Sequence, residues 1–358
     1  MKKSLIALAV LAASGAAMAQ SSVTLYGVLD IGFGKVKDGK WGMNNGEGYA
    51  GTQDGFNSTS VIGFRGTEDL GGGLKANFNL QSGGLDLSTG STSVAFSREA
   101  WVGLEGAGWG AIQLGRSSSI GAKVMGAYDF NGTSYSSAYD RAGISAVTWY
   151  GSSRRSSQLQ YTSPNFGGVV VRAGFTAKGD EGGVQGIGVP DASKNRYSLG
   201  ATFANGPLSV SAIAETKSAE GLRTAYAVGV SYDLSVVKLA ATYNRRERDG
   251  DLTRNYNTFS AGGAAGSGGQ LAGGKGWTLA AVAPFGPANV GVAYARNTEA
   301  DIQALELFAN YALSKRTRLY IDFAKGYDQN AITAVNANGR GLASANPYAV
   351  GVGVVHTF

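Results

Sequence analysis

Apolar and polar residues alternate with a period of two along most of this chain. Val23, Leu25, Gly27, Leu29, Ile31 and Phe33 share one parity, and Thr24, Tyr26, Val28, Asp30 and Gly32 share the other. Leu74, Ala76, Phe78 and Leu80 alternate with Lys75, Asn77, Asn79 and Gln81. The same pattern sets Tyr226, Val228, Val230, Tyr232 and Leu234 against Ala225, Ala227, Gly229, Ser231 and Asp233, and Leu319, Ile321 and Phe323 against Arg318, Tyr320 and Asp322. Side chains of a strand point alternately to its two faces, so each segment reads as a strand with one apolar face and one polar or small face. The pattern predicts sixteen strands, near 22–36, 59–69, 74–86, 94–105, 110–117, 156–164, 168–178, 195–205, 208–218, 223–234, 236–248, 276–285, 288–298, 302–313, 316–327 and 346–358.

The connections fall into two classes. Those at 70–73, 106–109, 165–167, 205–207, 286–287 and 314–315 are short, whereas 37–58, 249–275 and 329–345 are long. Tight turns at one end and long loops at the other are the arrangement of an outer-membrane barrel. An even strand number brings both termini to the tight-turn end, where the first and last strands can close the ring. A soluble sandwich alternates too, but with its polar face outward, so features outside the strands must decide between the two.

Both ends of the chain favour the membrane. Lys2 and Lys3 precede an apolar run from Leu5 to Ala13, and Ala17-Met18-Ala19 is a small-x-small cleavage pattern. Residues 1–19 therefore read as a secretory signal peptide, with a barrel domain over 20–358. The run is too short for a helix crossing a hydrocarbon core of about 30 Å. At the other end Tyr348, Val350, Val352, Val354, His356 and Phe358 share one face, and Phe358 is the last residue. A terminal aromatic after an alternating strand looks like the sorting signal read by the outer-membrane assembly machinery.

Composition agrees with this picture. No other apolar run could form a membrane helix, which leaves a closed barrel as the membrane-spanning solution. Glycine numbers 56 and proline 6, against both a helical and a proline-rich disordered chain. Cysteine is absent, so disulfides and cysteine metal sites are excluded. Tyrosine (17) and phenylalanine (14) suit aromatic girdles. Mean hydropathy is −0.07, as expected when a lipid face and a wet face average out. Without Lys2 and Lys3 there are 29 basic residues against 25 acidic ones, a net charge of +4. That surplus is small and scattered, and gives no footprint for nucleic acid.

Several segments together resemble the general porins of Gram-negative bacteria, in particular the trimeric β-proteobacterial group. They are Val23-Thr24-Leu25-Tyr26-Gly27, the run Gly63-Phe64-Arg65-Gly66-Thr67-Glu68-Asp69-Leu70-Gly71, Arg98-Glu99-Ala100-Trp101-Val102-Gly103-Leu104, Leu114-Gly115-Arg116, Tyr161-Thr162-Ser163-Pro164 with Phe166-Gly167-Gly168, and the ending His356-Thr357-Phe358. The resemblance implies an all-β, 16-stranded antiparallel transmembrane β-barrel, assembled as a homotrimer in the outer membrane. Its third long loop, here roughly Ser117 to Arg155, would fold into the lumen and narrow it. The implied partners are outer-membrane lipid and lipopolysaccharide, the assembly machinery, and the ions and small hydrophilic solutes that pass.

A diffusion pore is tuned by its width and by charge at its narrowest point. Arginine suits that wall because it stays ionised. Arg65 and Arg98 are read on the polar parity of their strands, and Arg98 matches a constriction arginine of the family. Arg116 lies where the fifth predicted strand meets the loop, and Arg154 and Arg155 close the loop. Asp129 and Asp140 are the loop's carboxylates and would oppose the basic wall. Val61 stands where the family often has arginine, which weakens the basic cluster. Asp30, Lys75, Arg172, Glu215, Lys238, Glu306 and Arg318 read as residues that merely wet the wall. A mild anion preference follows.

Enzymatic readings find little support. His356 is the chain's one histidine, and it shares the apolar parity of the last strand with no local catalytic partner. Gly-Gln-Leu-Ala-Gly-Gly-Lys at 269–275 approaches a phosphate-binding loop, but Gly276 replaces the required Ser or Thr and no helix follows. Asp249 and Asp251 read as solvated loop charges rather than a cation site. No catalytic residue, metal or cofactor is expected. Tyr128, Tyr135, Tyr139, Trp149 and Tyr150 keep a substrate-specific channel open as the alternative to a general pore.

Overall fold

The computed structural model describes residues 22–36, 40–43, 57–83, 85, 87, 95–132, 154–177, 195–216, 222–248, 274–298, 302–327 and 348–358. The strands are β1 (Ser22–Val36), β2 (Gly42–Met43), β3 (Val61–Gly71), β4 (Leu74–Gly83), β5 (Glu99–Gly106), β6 (Gly110–Ser118), β7 (Arg154–Thr162), β8 (Val169–Thr176), β9 (Arg196–Asn205), β10 (Leu208–Glu215), β11 (Leu222–Asp233), β12 (Lys238–Arg248), β13 (Gly274–Phe285), β14 (Ala288–Asn297), β15 (Ile302–Ala312), β16 (Thr317–Tyr327) and β17 (Tyr348–Thr357). Between β6 and β7 stand a short helix α1 (Ile120–Met125) and a 3-10 turn (Gly126–Tyr128). Among the described residues, no helix is long and apolar enough to cross a membrane.

The seventeen strands form one sheet. β2 is two residues long and pairs only on the end of β1, through Phe33↔Met43 and Gly34↔Gly42. The other sixteen are the staves of a closed antiparallel barrel. Each pairs with its neighbour in sequence, and β1 pairs with both β3 and β17. A strand edge left open in lipid would strand its N–H and C=O groups, and closure removes that cost.

Register converts the alternation into two faces. Phe78↔Val102, Val102↔Leu114 and Leu114↔Leu159 run around the outside in one row, and Phe64↔Leu80 lies in the next row on the same face. Val102, Leu114 and Leu199 are exposed by 58%, 55% and 60%, a face suited to lipid or to a neighbouring subunit. Exposed Trp109, Phe166, Tyr232, Phe285 and Tyr311 lie toward the tight turns, and Trp41, Tyr197, Tyr226 and Tyr243 toward the other end, as two aromatic belts. The inner parity carries Ser, Thr, Gln, Asp, Glu and small residues.

The tight turns use glycine where the backbone enters the left-handed region. Gly206 and Gly286 have φ of 54° and 60°, and each precedes a proline, which needs no hydrogen-bond partner for a missing N–H. The ring closes at Phe358. Its N–H donates to Gly27 O at 3.2 Å, and Gly27 N–H donates to Phe358 O at 3.1 Å. The Phe358 ring occupies the space a Cβ on Gly27 would need. The residues before Ser22 and most long-loop residues, Asp140 among them, lie outside the described set.

Candidate functional site

Among the described residues, 119–132 form a strap across the wall. Ser119 starts it as an N-cap, its hydroxyl accepting from Ala122 N–H at 3.1 Å. Ile120, Val124, Met125 and Tyr128 are buried and pack with Ile213, Ala225, Ala227, Ala240 and Ala280 of β10 to β13. These partners share the parity opposite to exposed Tyr226, Val228 and Leu279, so the strap lies on the inside. Three wall glycines make the seat. A Cβ on Gly174 would come within 2.9 Å of Ile120, one on Gly200 within 2.9 Å of Val124, and one on Gly229 would enter the Tyr128 ring. Tyr128 Oη donates to Ser211 Oγ at 2.7 Å.

The far end of the strap is held by amides. Asn131 Nδ2 lies 2.9 Å from Glu306 Oε1 and 2.7 Å from Asp322 Oδ2, donating to both. Its Oδ1 accepts from Asn57 Nδ2 at 3.0 Å. Asn57 Oδ1 in turn accepts from Arg318 at 2.5 Å. Asp30 accepts from Asn57 N–H at 3.1 Å, from Ser58 N–H at 2.5 Å and from Tyr320 Oη at 2.9 Å. The strap thus spans from β8 to β16. Asp30, Glu215, Glu306 and Asp322 are all 0% exposed. This corrects the reading of Asp30, Glu215 and Glu306 as wall-wetting groups. They are enclosed, and a buried carboxylate without partners would not be tolerated.

The arginines separate into two sets. Arg65 pairs in register with Thr24 and Asn79, on the inner parity, and its guanidinium lies 5.0 Å from the Tyr26 ring centroid. Arg98 also reaches the inner wall, though not by strand parity. It stands at a bend before β5, on the alternation of outward Ala100 and Val102, and the bend swings it across Gly83 so that Nε donates to Gln81 Oε1 at 3.2 Å. Arg155 faces inward and binds Glu215 at 2.6 Å, with Arg196 3.9 Å from the same oxygen.

Arg116 is otherwise placed. It pairs with Ala100, on the parity of outward Leu114, and donates to the Ser97 carbonyl and, at 2.7 Å, to Ser156 Oγ. Ser117, next to it, is on the inner parity, and the extra residue of the register shift lies opposite on β7, between Arg155 and Gln158. Arg154 pairs with Ser118, one residue off the parity of Arg155. Asp129 ends the 3-10 turn on the strap, close enough to Glu306 to act on its charge.

Three groups were not singled out by the sequence. Lys123, on α1, donates to Gln160 Oε1 at 2.5 Å and Gln113 Oε1 at 3.3 Å. Burial lowers its pKa to about 8, Glu99 opposes that shift and Arg172 adds to it. Glu99 accepts from Ser118 Oγ at 2.9 Å and from Trp101 Nε1 at 2.8 Å. Asn131 is the third, and a lone asparagine in a loop carries no signal of a contact 191 residues away. His356 is exposed at the barrel edge, its Nδ1 2.9 Å from Thr317 Oγ1. Among the described residues no group of three or more His, Asp or Glu side chains is placed to hold a metal ion.

Comparison with known proteins finds relatives of the whole barrel. A family model described as "Gram-negative porin" matches residues 5–331. Outer membrane porin protein 32 of Delftia acidovorans is 36% identical over 376 residues, covering 98% of this chain and 95% of that protein. An outer membrane porin of Bordetella pertussis is 32% identical over 412 residues, covering 100% of both. Among solved structures, an anion-selective porin from Comamonas acidovorans superposes with a TM-score of 0.68 at 27% identity, covering 95% of this chain and 100% of that one.

Proposed function

This chain belongs to the Gram-negative porin family, and on that premise we propose an outer-membrane general diffusion pore with a mild preference for anions. It is an integral β-barrel of the outer membrane of a Gram-negative bacterium. Ions and small hydrophilic solutes pass through its water-filled lumen without catalysis. Residues 1–19 are the removable export signal in this reading, and Phe358 is the signal to the assembly machinery. The protein works as a homotrimer, its outer belt in contact with lipid and lipopolysaccharide.

One observation carries the anion preference. The carboxylates of Asp30, Glu215, Glu306 and Asp322 are 0% exposed beneath their partners, whereas Arg65 is exposed on the same inner face. A passing ion responds most to charge that water does not screen by distance, within about 8 Å at physiological salt. Arg65 and Arg98 make up the accessible basic wall in this reading, Arg155 being buried against Glu215, and Asp129 and Asp140 oppose it from the third long loop, taken to lie mostly inside the lumen. Arg116 and Arg154 lie off that wall. The similar porin of Comamonas acidovorans, described as anion-selective, supports the same sign.

Planar-bilayer recording tests the proposal. The expected result is a large conductance that rises linearly with salt, with a reversal potential in a salt gradient on the anion side. A small conductance that saturates with one solute would instead establish the substrate-specific alternative.

A further inference from the structure

Tyr26 stands between Arg65 and Arg98. It lies on the inner parity of β1, opposite Gly63, and a Cβ there would sit 2.5 Å from Tyr26 Cζ. The absent side chain lets the ring lie close to the wall. The Arg65 guanidinium is 5.0 Å from the ring centroid, where the negative face of the ring attracts it. The hydroxyl works in the other direction. It donates to Asn79 Oδ1 at 2.6 Å and accepts from Gln81 Nε2 at 3.2 Å, and Gln81 Oε1 accepts from Arg98 Nε at 3.2 Å.

These bonds orient one another. A hydroxyl has one proton, and here Asn79 takes it. Toward Gln81 the hydroxyl can therefore only accept, so Gln81 must turn its NH2 to Tyr26. That leaves the Gln81 carbonyl, and not its NH2, for Arg98. A flipped Gln81 would set donor against donor at Arg98. We propose that Tyr26 is a positioning residue for selectivity: its ring holds Arg65 on the wall, and its hydroxyl, through Gln81, holds Arg98. The inference rests on the reading of those two arginines as the charged wall. It also accounts for a tyrosine, rather than phenylalanine or leucine, at an inward position of β1.

The test is the reversal potential of the full-length mature protein in planar bilayers, in a potassium chloride gradient at low salt. Arg65→Gln and Arg98→Gln are expected to shift it toward cation preference. Tyr26→Phe keeps the ring and loses both hydroxyl bonds, so its value is expected between those of wild type and Arg98→Gln. Placed on top of Arg98→Gln, Tyr26→Phe should add nothing. Tyr26→Leu removes both holds and should shift further than Tyr26→Phe. Gly63→Ala, which displaces the ring without touching it chemically, should shift in the same direction and decides the matter if Tyr26→Leu fails to insert. Wild-type values for Tyr26→Phe and Gly63→Ala, beside shifted values for the arginine variants, would overturn the role of Tyr26 and leave the wall standing. An undiminished Tyr26→Phe shift in the Arg98→Gln background would overturn it too. If neither arginine variant moves the potential, the wall reading fails and the inference falls with it.

Discussion

A buried charge on a pore wall has to be answered by its neighbours, and Glu215 shows how. Arg155 binds it at 2.6 Å, Ser198 Oγ donates to its other oxygen at 3.0 Å, and Arg196 lies 3.9 Å away. Arg155→Met should strip the nearest partner from a fully enclosed carboxylate. Breaking one side of a buried pair costs roughly 3–5 kcal/mol, and Arg196 will recover part of it. Urea unfolding in lipid vesicles should report a loss of about 2 kcal/mol or more, and an unchanged midpoint would mean Glu215 is held by other groups. Lys123 yields a prediction in pH. Its ammonium is destabilised by burial and titrates near 8, with Glu99 and Arg172 the charged groups acting on it. A lysine is cationic below its pKa, so its positive charge is present at pH 7 and lost as pH rises through about 8. Anion preference should therefore fall between pH 7 and 9, and Lys123→Gln should flatten that response while keeping the hydrogen-bonding length. The sequence names Arg98, Arg154, Arg155 and Glu215 but not their placement, and it does not single out Lys123. Arg154 and Arg155 are adjacent and alike, and which one turns inward depends on the register shift between Gly115 and Ser117. Arg98 is not on the polar parity that the sequence reading gives it: it shares the alternation of outward Ala100 and Val102, and only the bend before β5 brings it to Gln81.

At the level of elements, strands were legible because alternation is local. All sixteen staves lie within a few residues of their predicted positions, and β2 alone was missed, since two residues cannot show a period. The strap was legible only as a long stretch without alternation. Its seat was not, because the seat is a contact between segments distant in sequence. Gly174, Gly200 and Gly229 look like any small residues of a polar face, yet each leaves room for a different side chain of the strap. Such complementarity has a direct consequence. Gly229→Ala would drive a methyl into the Tyr128 ring, lift it from Ser211, and tilt the strap toward the lumen. Overpacking of this kind costs about 1–3 kcal/mol, too little to unfold a closed barrel. The expected outcome is an inserted channel with lower single-channel conductance and more current noise. Wild-type conductance in Gly229→Ala would show that the strap does not border the narrowest section.

The whole molecule depends on one seam. Every stave but two pairs with its immediate neighbours in sequence, while β1 and β17 must find each other across the full chain, aligning Val28↔Thr357 through Val36↔Ala349. Loop closure over that separation is entropically unfavourable before the contacts form, so whatever locks the seam governs the last step of assembly. The even strand number and the alternating terminus made the seam legible in outline. The lock itself is the Phe358 ring, packed where Gly27 lacks a side chain, with backbone hydrogen bonds running both ways between the two residues. On the proposed sorting role, Phe358 would have two separable tasks, recognition by the assembly machinery and closure of the ring. Deleting Phe358 would remove both, and should lower outer-membrane insertion while export, which the proposed signal at residues 1–19 directs, continues. Gly27→Leu separates them. It leaves the terminal aromatic available for recognition but fills the space that receives its ring. If recognition dominates, Gly27→Leu should insert at close to the wild-type level in cells and differ only in a lower unfolding temperature of the purified barrel. If closure dominates, Gly27→Leu should accumulate in the periplasm much as the deletion does, and refolding of the purified chain into lipid vesicles, with no machinery present, should be slowed for both variants. Normal insertion without Phe358 would remove both tasks at once, and would leave the backbone ladder between β1 and β17 as the sole lock of the ring.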